Sequence, residues 1–174
     1  MKNILIVSAT RKNNYNLAKK IESILKLNKD DFKSINTKVI SLEDFPLPIY
    51  TESSYDENVD HYKVTIEKLT HEFVQSQGII ICAPEYNGST PPIINNAIAW
   101  ISTTTNYWRD AFDQKIALIG TNSGGPGTKY TSIMKLQMEH LGCVVMPRAI
   151  SANKSNPLNE ESTIKILKQF IDLI

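Results

Sequence analysis

Residues 78–102, GIIICAPEYNGSTPPIINNAIAWIS, pass from an unbroken apolar run, through a crowd of turn formers, into a helical pattern. Residues 78–83 are short, rich in Ile and bounded by turn formers, which predicts a central parallel strand covered on both faces. Pro84, Asn87, Gly88, Pro91 and Pro92 then restrict the backbone, Pro by fixing φ, Gly and Asn by tolerating φ > 0. Helical spacing resumes at Ile93, Ile94, Ala97, Ile98 and Ile101, with Pro91 or Pro92 suited to the first turn. In an open α/β sheet, the loop leaving the carboxyl end of a central strand is where ligands bind. Glu85, Tyr86, Asn87 and Gly88 can offer backbone N–H groups, an aromatic face and an amide to a flat heterocycle. The same residues also accommodate a proline-rich turn that only redirects the chain.

The flanking sequence repeats the strand, loop and helix order. Residues 3–8 form an apolar strand, residues 9–16 (ATRKNNYN) a polar loop, and Leu17, Ala18, Ile21, Ile24 and Leu25 one side of a helix. A helix N-terminus offers unpaired N–H groups and about half a positive charge, so Thr10, Arg11, Asn14 and Asn16 are candidates for holding a phosphate. The alternative is that Asn13 or Asn14 caps the helix while Arg11 is solvated. Residues 37–42 predict a second strand, and Pro46 and Pro48 keep residues 45–50 extended. Residues 51–59 (TESSYDENV) lack a period and are read as a surface loop before a helix over 60–75, with Val64, Leu69 and Phe73 inward.

Beyond the central stretch, residues 103–113 carry Tyr107, Trp108 and Phe112 in a helix-to-strand link. Arg109 there either reaches an anionic ligand or is solvated near Asp110 and Asp113. Residues 115–121 predict the fourth strand, which opens into NSGGPGTK at 122–129; three glycines there signal close backbone approach. A P-loop is excluded, because Gly125 is followed by Pro126 and Lys129 by Tyr130. A helix over 132–141, a strand over 143–146, an open polar segment over 149–157 and a helix over 159–174 complete the chain. Ile164, Leu167, Phe170, Ile171 and Ile174 mark the buried side of the last helix. Five strands alternating with five helices predict an α/β fold, a parallel sheet with right-handed crossovers and helices on both faces.

The 174 residues suit one domain, 1–174, large enough to bury its own core. Nineteen basic against 18 acidic residues leave a formal charge of +1, so no global field draws the chain to nucleic acid or an anionic membrane. Cys82 and Cys143 fall inside apolar runs and are read as core thiols. His61, His71 and His140 lie among charged residues without metal-ligand spacing, so no metal site is expected. The chain enters a strand at once and has no run long enough for a membrane helix, which leads to the expectation of a cytoplasmic protein.

On the residues quoted, APEYNGSTPPIINNAIAWIS resembles the P-E-Y-N-x-S-x-P-x-x-x-K-N-A-x-D-W signature of the NADPH-dependent FMN reductase family. Asn95 stands in the place of the frequent Lys, and Ala99 in that of the usual Asp. The first loop is similar in part to the family's G-S-x-R-x-x-S-x-N: Arg11 and Asn16 align, while Ser8, Ala9 and Asn14 replace Gly, Ser and Ser. Residues 123–125 resemble its S-x-G-G-x-G-G segment. The resemblance implies a flavodoxin-like three-layer sandwich, with five parallel strands in the order 2-1-3-4-5.

It also implies an FMN site. Thr10, Arg11, Asn14 and Asn16 would lie at the phosphate, Pro84, Glu85, Tyr86, Asn87, Gly88 and Ser89 against the ring, and Ser123, Gly124 and Gly125 at its pyrimidine side. The activity implied is hydride transfer from NADPH or NADH to FMN, then to a small-molecule electron acceptor such as a quinone, azo compound, metal oxyanion or free flavin. No side chain is required as acid or base. A homodimer or homotetramer is the implied assembly. The alternatives are an FMN carrier or sensor without NAD(P)H turnover, and a flavin-free interaction domain.

Overall fold

The computed structural model describes residues 1–28 and 32–174. Apolar residues alternate in direction along each central strand, so both faces of the sheet need cover. Ile4 and Ile6 of β1 (Lys2–Ser8) and Ile80 of β3 (Gly78–Cys82) pack with Leu17, Ile21 and Ile24 of α1 (Asn13–Leu27). Leu167 and Phe170 of α5 (Glu160–Leu173) close the same side. Leu5, Val7, Ile79 and Ile81 face the other way. They meet Leu69 and Phe73 of α2 (Glu52–Val74), Ile94 and Ile101 of α3 (Pro92–Thr104), and Met134 and Met138 of α4 (Thr128–His140). Ile80 is fully buried, so cutting it back to Ala is worth about 2–5 kcal/mol of stability.

All strand pairs are parallel. With β2 at Ile35–Ser41, β4 at Ile116–Asn122 and β5 at Val144–Val145, the order is β2-β1-β3-β4-β5, as expected for a flavodoxin-like sheet. One refinement concerns the last sheet position, where the expected strand over 143–146 shortens to β5 (Val144–Val145). A second piece, β6 (Ile150–Ala152), continues along β4. Pro147 explains the break, since it has no N–H to donate to the ladder. The segment read as open over 149–157 is therefore anchored: Gly120, Thr121 and Asn122 pair with Ile150, Ser151 and Ala152.

Three other expectations change. Residues 52–59 are not a surface loop but the first turns of α2, begun by Thr51, whose Oγ1 accepts the Ser54 N–H at 3.0 Å. In that helix Ile66 takes the buried place, and Val64 is exposed. In α5, Leu167, Phe170 and Ile171 are buried as expected, but Ile166 joins them and Ile164 is covered only in part, a small rotation of the buried face.

The segment over 45–50 is extended, and α3 straps it down. Asn96 Oδ1 accepts the Tyr50 N–H at 2.7 Å, its Nδ2 donates to the Pro48 carbonyl at 3.0 Å, and Trp100 Nε1 donates to the same carbonyl at 2.8 Å. Trp100 is fully buried and stacks on Tyr55 with Tyr50 edge-on. Cys82 and Cys143 are unpaired core thiols, both pushed up to about 12 chiefly by burial. Among the described residues, no helix is long and apolar enough to cross a membrane.

Candidate functional site

Parallel pairing brings the ends of β1, β3 and β4 to one edge, and the loops beyond them surround a cavity of about 840 Å³. Its lining includes Thr10, Arg11, Asn14, Pro84, Glu85, Tyr86, Ser123 and Gly124. Asn87, Gly88, Asn16 and Gly125 do not line it. Asn16 belongs instead to an adjoining depression with Lys20 and Pro157.

The first loop leaves β1 through Ala9, whose N–H donates to the Cys82 carbonyl at 2.9 Å, and Ser8 Oγ donates to the Thr10 carbonyl at 2.7 Å. At the start of α1 the N-cap residue, Lys12, makes no side-chain cap bond. Among the described residues no side chain accepts from the N–H groups of Asn13 or Asn14. Asn14 itself is buried and forms a two-point bridge to β4: Nδ2 donates to the Asn122 carbonyl at 2.9 Å, and Oδ1 accepts the Asn122 N–H at 2.8 Å. Its amide thus ties the first loop to the fourth strand, and what it can still offer an anion is its backbone N–H. Arg11 is exposed and paired with Asp44; the hydrogen bond and charge of that carboxylate raise its pKa. The capping role considered for Asn13 or Asn14 is not what the structure has.

The central loop holds a defined turn. Tyr86 and Ser89 exchange backbone hydrogen bonds of 3.1 and 2.9 Å around Asn87 at φ 50° and Gly88 at φ 72°. Two successive positive φ values make a type I′ turn, the geometry Asn-Gly favours. This turn presents Tyr86 half in solvent at the cavity rim. The carboxylate of Glu85, which also lines the cavity, is bound to the protein: its Oε2 accepts the Lys129 and Tyr130 N–H groups at 3.0 and 3.3 Å and closes the N-terminus of α4. Its own N–H donates to Ser123 Oγ at 2.8 Å, and Ser123 Oγ lies 2.8 Å from Thr121 Oγ1. Gly127 begins α4 at φ 68°, where a Cβ would fall 2.7 Å from Thr121 Cγ2. At Gly124 and Gly125, by contrast, a Cβ would meet nothing within 4 Å, so those two glycines leave room that the protein itself does not fill.

Asn153 and Lys154 also line the cavity, and so does Glu43; sequence reasoning passed over all three. Asn153 Oδ1 accepts the Ser155 and Asn156 N–H groups at 2.9 and 2.8 Å, so its side chain stabilises its own turn. The available signal was the alternation of Ile150, Ser151 and Ala152 after Pro147, which makes a short strand and carries the next residues to the carboxyl edge of the sheet. His61, His71 and His140 are exposed. Arg109 lies over the Trp108 ring at 4.3 Å, away from this cavity.

The quinone reductase of Escherichia coli (strain K12) is 37% identical to the chain over 65 residues, 36% of this chain and 31% of that protein. FerB, a flavoenzyme NAD(P)H:(acceptor) oxidoreductase from Paracoccus denitrificans, has a TM-score of 0.67 at 23% identity, with 99% of this chain and 94% of that one covered. A flavodoxin from the domain Archaea has a TM-score of 0.63 at 11% identity over 98% and 96% of the two chains. These structural likenesses show the flavodoxin-like fold. The chain spans only 31% to 51% of the length of the curated relatives it matches. The model of the NADPH-dependent FMN reductase family matches residues 1–157, and with the sheet order and loop geometry above, the chain belongs to that family of FMN-dependent NAD(P)H oxidoreductases.

Proposed function

We propose that this chain binds FMN in the cavity at the carboxyl edge and passes electrons from NADPH or NADH to a small-molecule acceptor, a quinone or azo compound being the first class to try. The observation that carries the reading is the meeting of three loops around one cavity, with an uncapped helix N-terminus and an exposed tyrosine both lining it. The residues present fit the group. Gly124 and Gly125 leave open space where any other residue would place a Cβ. An anionic tail also suits N–H groups that, among the described residues, no side chain occupies.

When bound, FMN supplies hydride acceptance from the nicotinamide and onward transfer to the acceptor. The chain's own part is to hold and orient. Thr10 and the α1 N–H groups of Asn13 and Asn14 would take the phosphate, assisted by Arg11. Ser123 fixes the Glu85 backbone, and with it the direction in which Pro84 and Tyr86 meet the ring. The Asn14 bridge to Asn122 locks the phosphate loop to the ring loop at a fixed separation. Asn16, Asn87, Gly88 and Gly125 would act at one remove, through the shape of the loops. Ser89 fastens the type I′ turn in the same way.

The acceptor side is open to solvent at Tyr86. Exposed Ile49, Tyr107, Trp108 and Leu136 support a homodimer or homotetramer, which light scattering on the purified protein tests. The unpaired thiols of Cys82 and Cys143 suit a reducing compartment such as the cytoplasm. The deciding experiment is anaerobic. FMN-loaded protein freed of excess flavin is titrated with NADPH or NADH while the oxidised-flavin absorbance is followed. Bleaching on addition, reversed by a quinone, is expected; a band that persists with both donors would leave a flavin carrier instead.

A further inference from the structure

One side chain at the cavity works against the ligand just assigned to it. β1 and β2 run in register, Ser8 opposite Ser41, so the residues just beyond their ends lie side by side at the carboxyl edge. Beyond Ser41 the chain makes a 3-10 turn, Leu42–Asp44, capped by Ser41 Oγ, which accepts the Glu43 N–H at 3.3 Å. That turn aims two carboxylates at the first loop. Glu43 Oε1 accepts the Arg11 N–H at 2.8 Å, and Asp44 Oδ1 accepts from Arg11 Nε at 3.1 Å as well as from its terminal nitrogen. Glu43 also lines the cavity. A carboxylate is a small oxyanion, and here it is seated on a backbone donor immediately before the uncapped start of α1.

We propose that Glu43 sets the preference between phosphorylated and unphosphorylated flavin. The inference rests on FMN binding in this cavity. A phosphate seeking the first-loop donors must either displace the Glu43 carboxylate from the Arg11 N–H or sit beside it, and two like charges within a few ångströms repel. Asp44 meanwhile holds the Arg11 guanidinium, which leaves Lys12 and Lys154 as the cations of the cavity lining. The Asn14 amide is committed to Asn122 and cannot offset that repulsion. Riboflavin has the same ring and ribityl chain but no phosphate, so Glu43 leaves its binding untouched. Glu43 therefore narrows the margin by which the wild-type chain favours FMN over riboflavin.

The test is equilibrium binding of each flavin, by quenching of flavin fluorescence and by dialysis, to wild type, E43Q and E43A. E43Q keeps an acceptor for the Arg11 N–H and removes the charge. E43A removes both, and Glu43 is exposed enough for either variant to fold. The expected result is FMN binding tighter by about fivefold or more in both variants, with riboflavin binding changed by less than about twofold. Unchanged or weaker FMN binding would overturn the proposal, as would an equal shift for riboflavin. Wild type that binds neither flavin would remove the FMN reading itself, a failure distinct from wild type that binds FMN but does not respond at position 43.

Discussion

The helices that follow β1 and β4 both start at the carboxyl edge of the sheet, yet among the described residues only one of them is closed by a side chain. At α4, Glu85 reaches across from the neighbouring loop and accepts two first-turn N–H groups. At α1, among the described residues, no side chain caps the first turn, the first turn has no acid, and the cavity opens directly onto it. A helix N-terminus carries about half a positive charge in either case. The difference lies in who supplies the anion. At α4 the protein does, through the carboxylate of Glu85. At α1 the donors are left for something else, and only the preceding N–H, that of Arg11, is taken by Glu43. The contrast teaches that two helix starts at one sheet edge can differ in how fully the fold itself satisfies their donors.

The sharpest way to break the contrast is to make α1 resemble α4. Lys12→Asp places a capping carboxylate at the N-cap of α1 and removes a cation from the cavity wall. FMN affinity is expected to fall by about tenfold or more, while unfolding free energy rises by about 0.5–1 kcal/mol. Opposite signs in a flavin titration and a urea melt are the outcome to look for; a parallel loss of both would mean that the helix end is not the anion site. The converse change is Glu85→Ala, which orphans the Lys129 and Tyr130 N–H groups. A loss of about 1–2 kcal/mol in denaturant unfolding is expected. Should the protein tolerate it without loss, the closure of α4 would have to come from elsewhere.

A finer cut distinguishes glycines kept for a ligand from those kept for the fold. Gly124→Ala adds a methyl where nothing lies within 4 Å, so stability should stay within about 0.5 kcal/mol, whereas FMN should bind about fivefold more weakly if the ring lies against that backbone. Calorimetry and the flavin titration together read both numbers. The smallest effect at neutral pH concerns the strands beneath. Cys82 and Cys143 hold their protons to about 12 in the folded state against 9.0 for an ordinary thiol. Their contribution is complete below about pH 9 and is lost as pH rises from there through about 12. Denaturant midpoints should fall over that alkaline window, and less so in Cys82→Ala, so affinities measured below pH 9 are not confounded by this titration.

How much of this was legible beforehand follows from the range of the interactions involved. Period and punctuation are local, so the five βα repeats and the loops at 9–16, 84–91 and 122–129 could be read directly. The Asn-Gly turn between Tyr86 and Ser89 is equally local, because two residues fix its backbone. Where reading failed, the deciding partner was distant or the local signal weak. Residues 52–59 have no apolar period because that end of α2 is largely solvated, and only the Thr51 cap marked its start. The carboxylate of Glu85, the amide of Asn14 and the strap residues Asn96 and Trp100 each find their partners tens of residues away.

The sequence by itself determined the order of strands and helices, the three loops that meet at one edge, and the family, because these depend on residue spacing and turn chemistry along the chain. Only the tertiary structure decided which polar side chains at that edge are spent on the protein and which donors are left over. That allocation depends on strand register: Ser8 opposite Ser41 brings Glu43 to Arg11, and Asn122 opposite Ala152 brings Asn153 and Lys154 to the cavity. Register is set by the packing of both sheet faces at once, and no single stretch of sequence contains it.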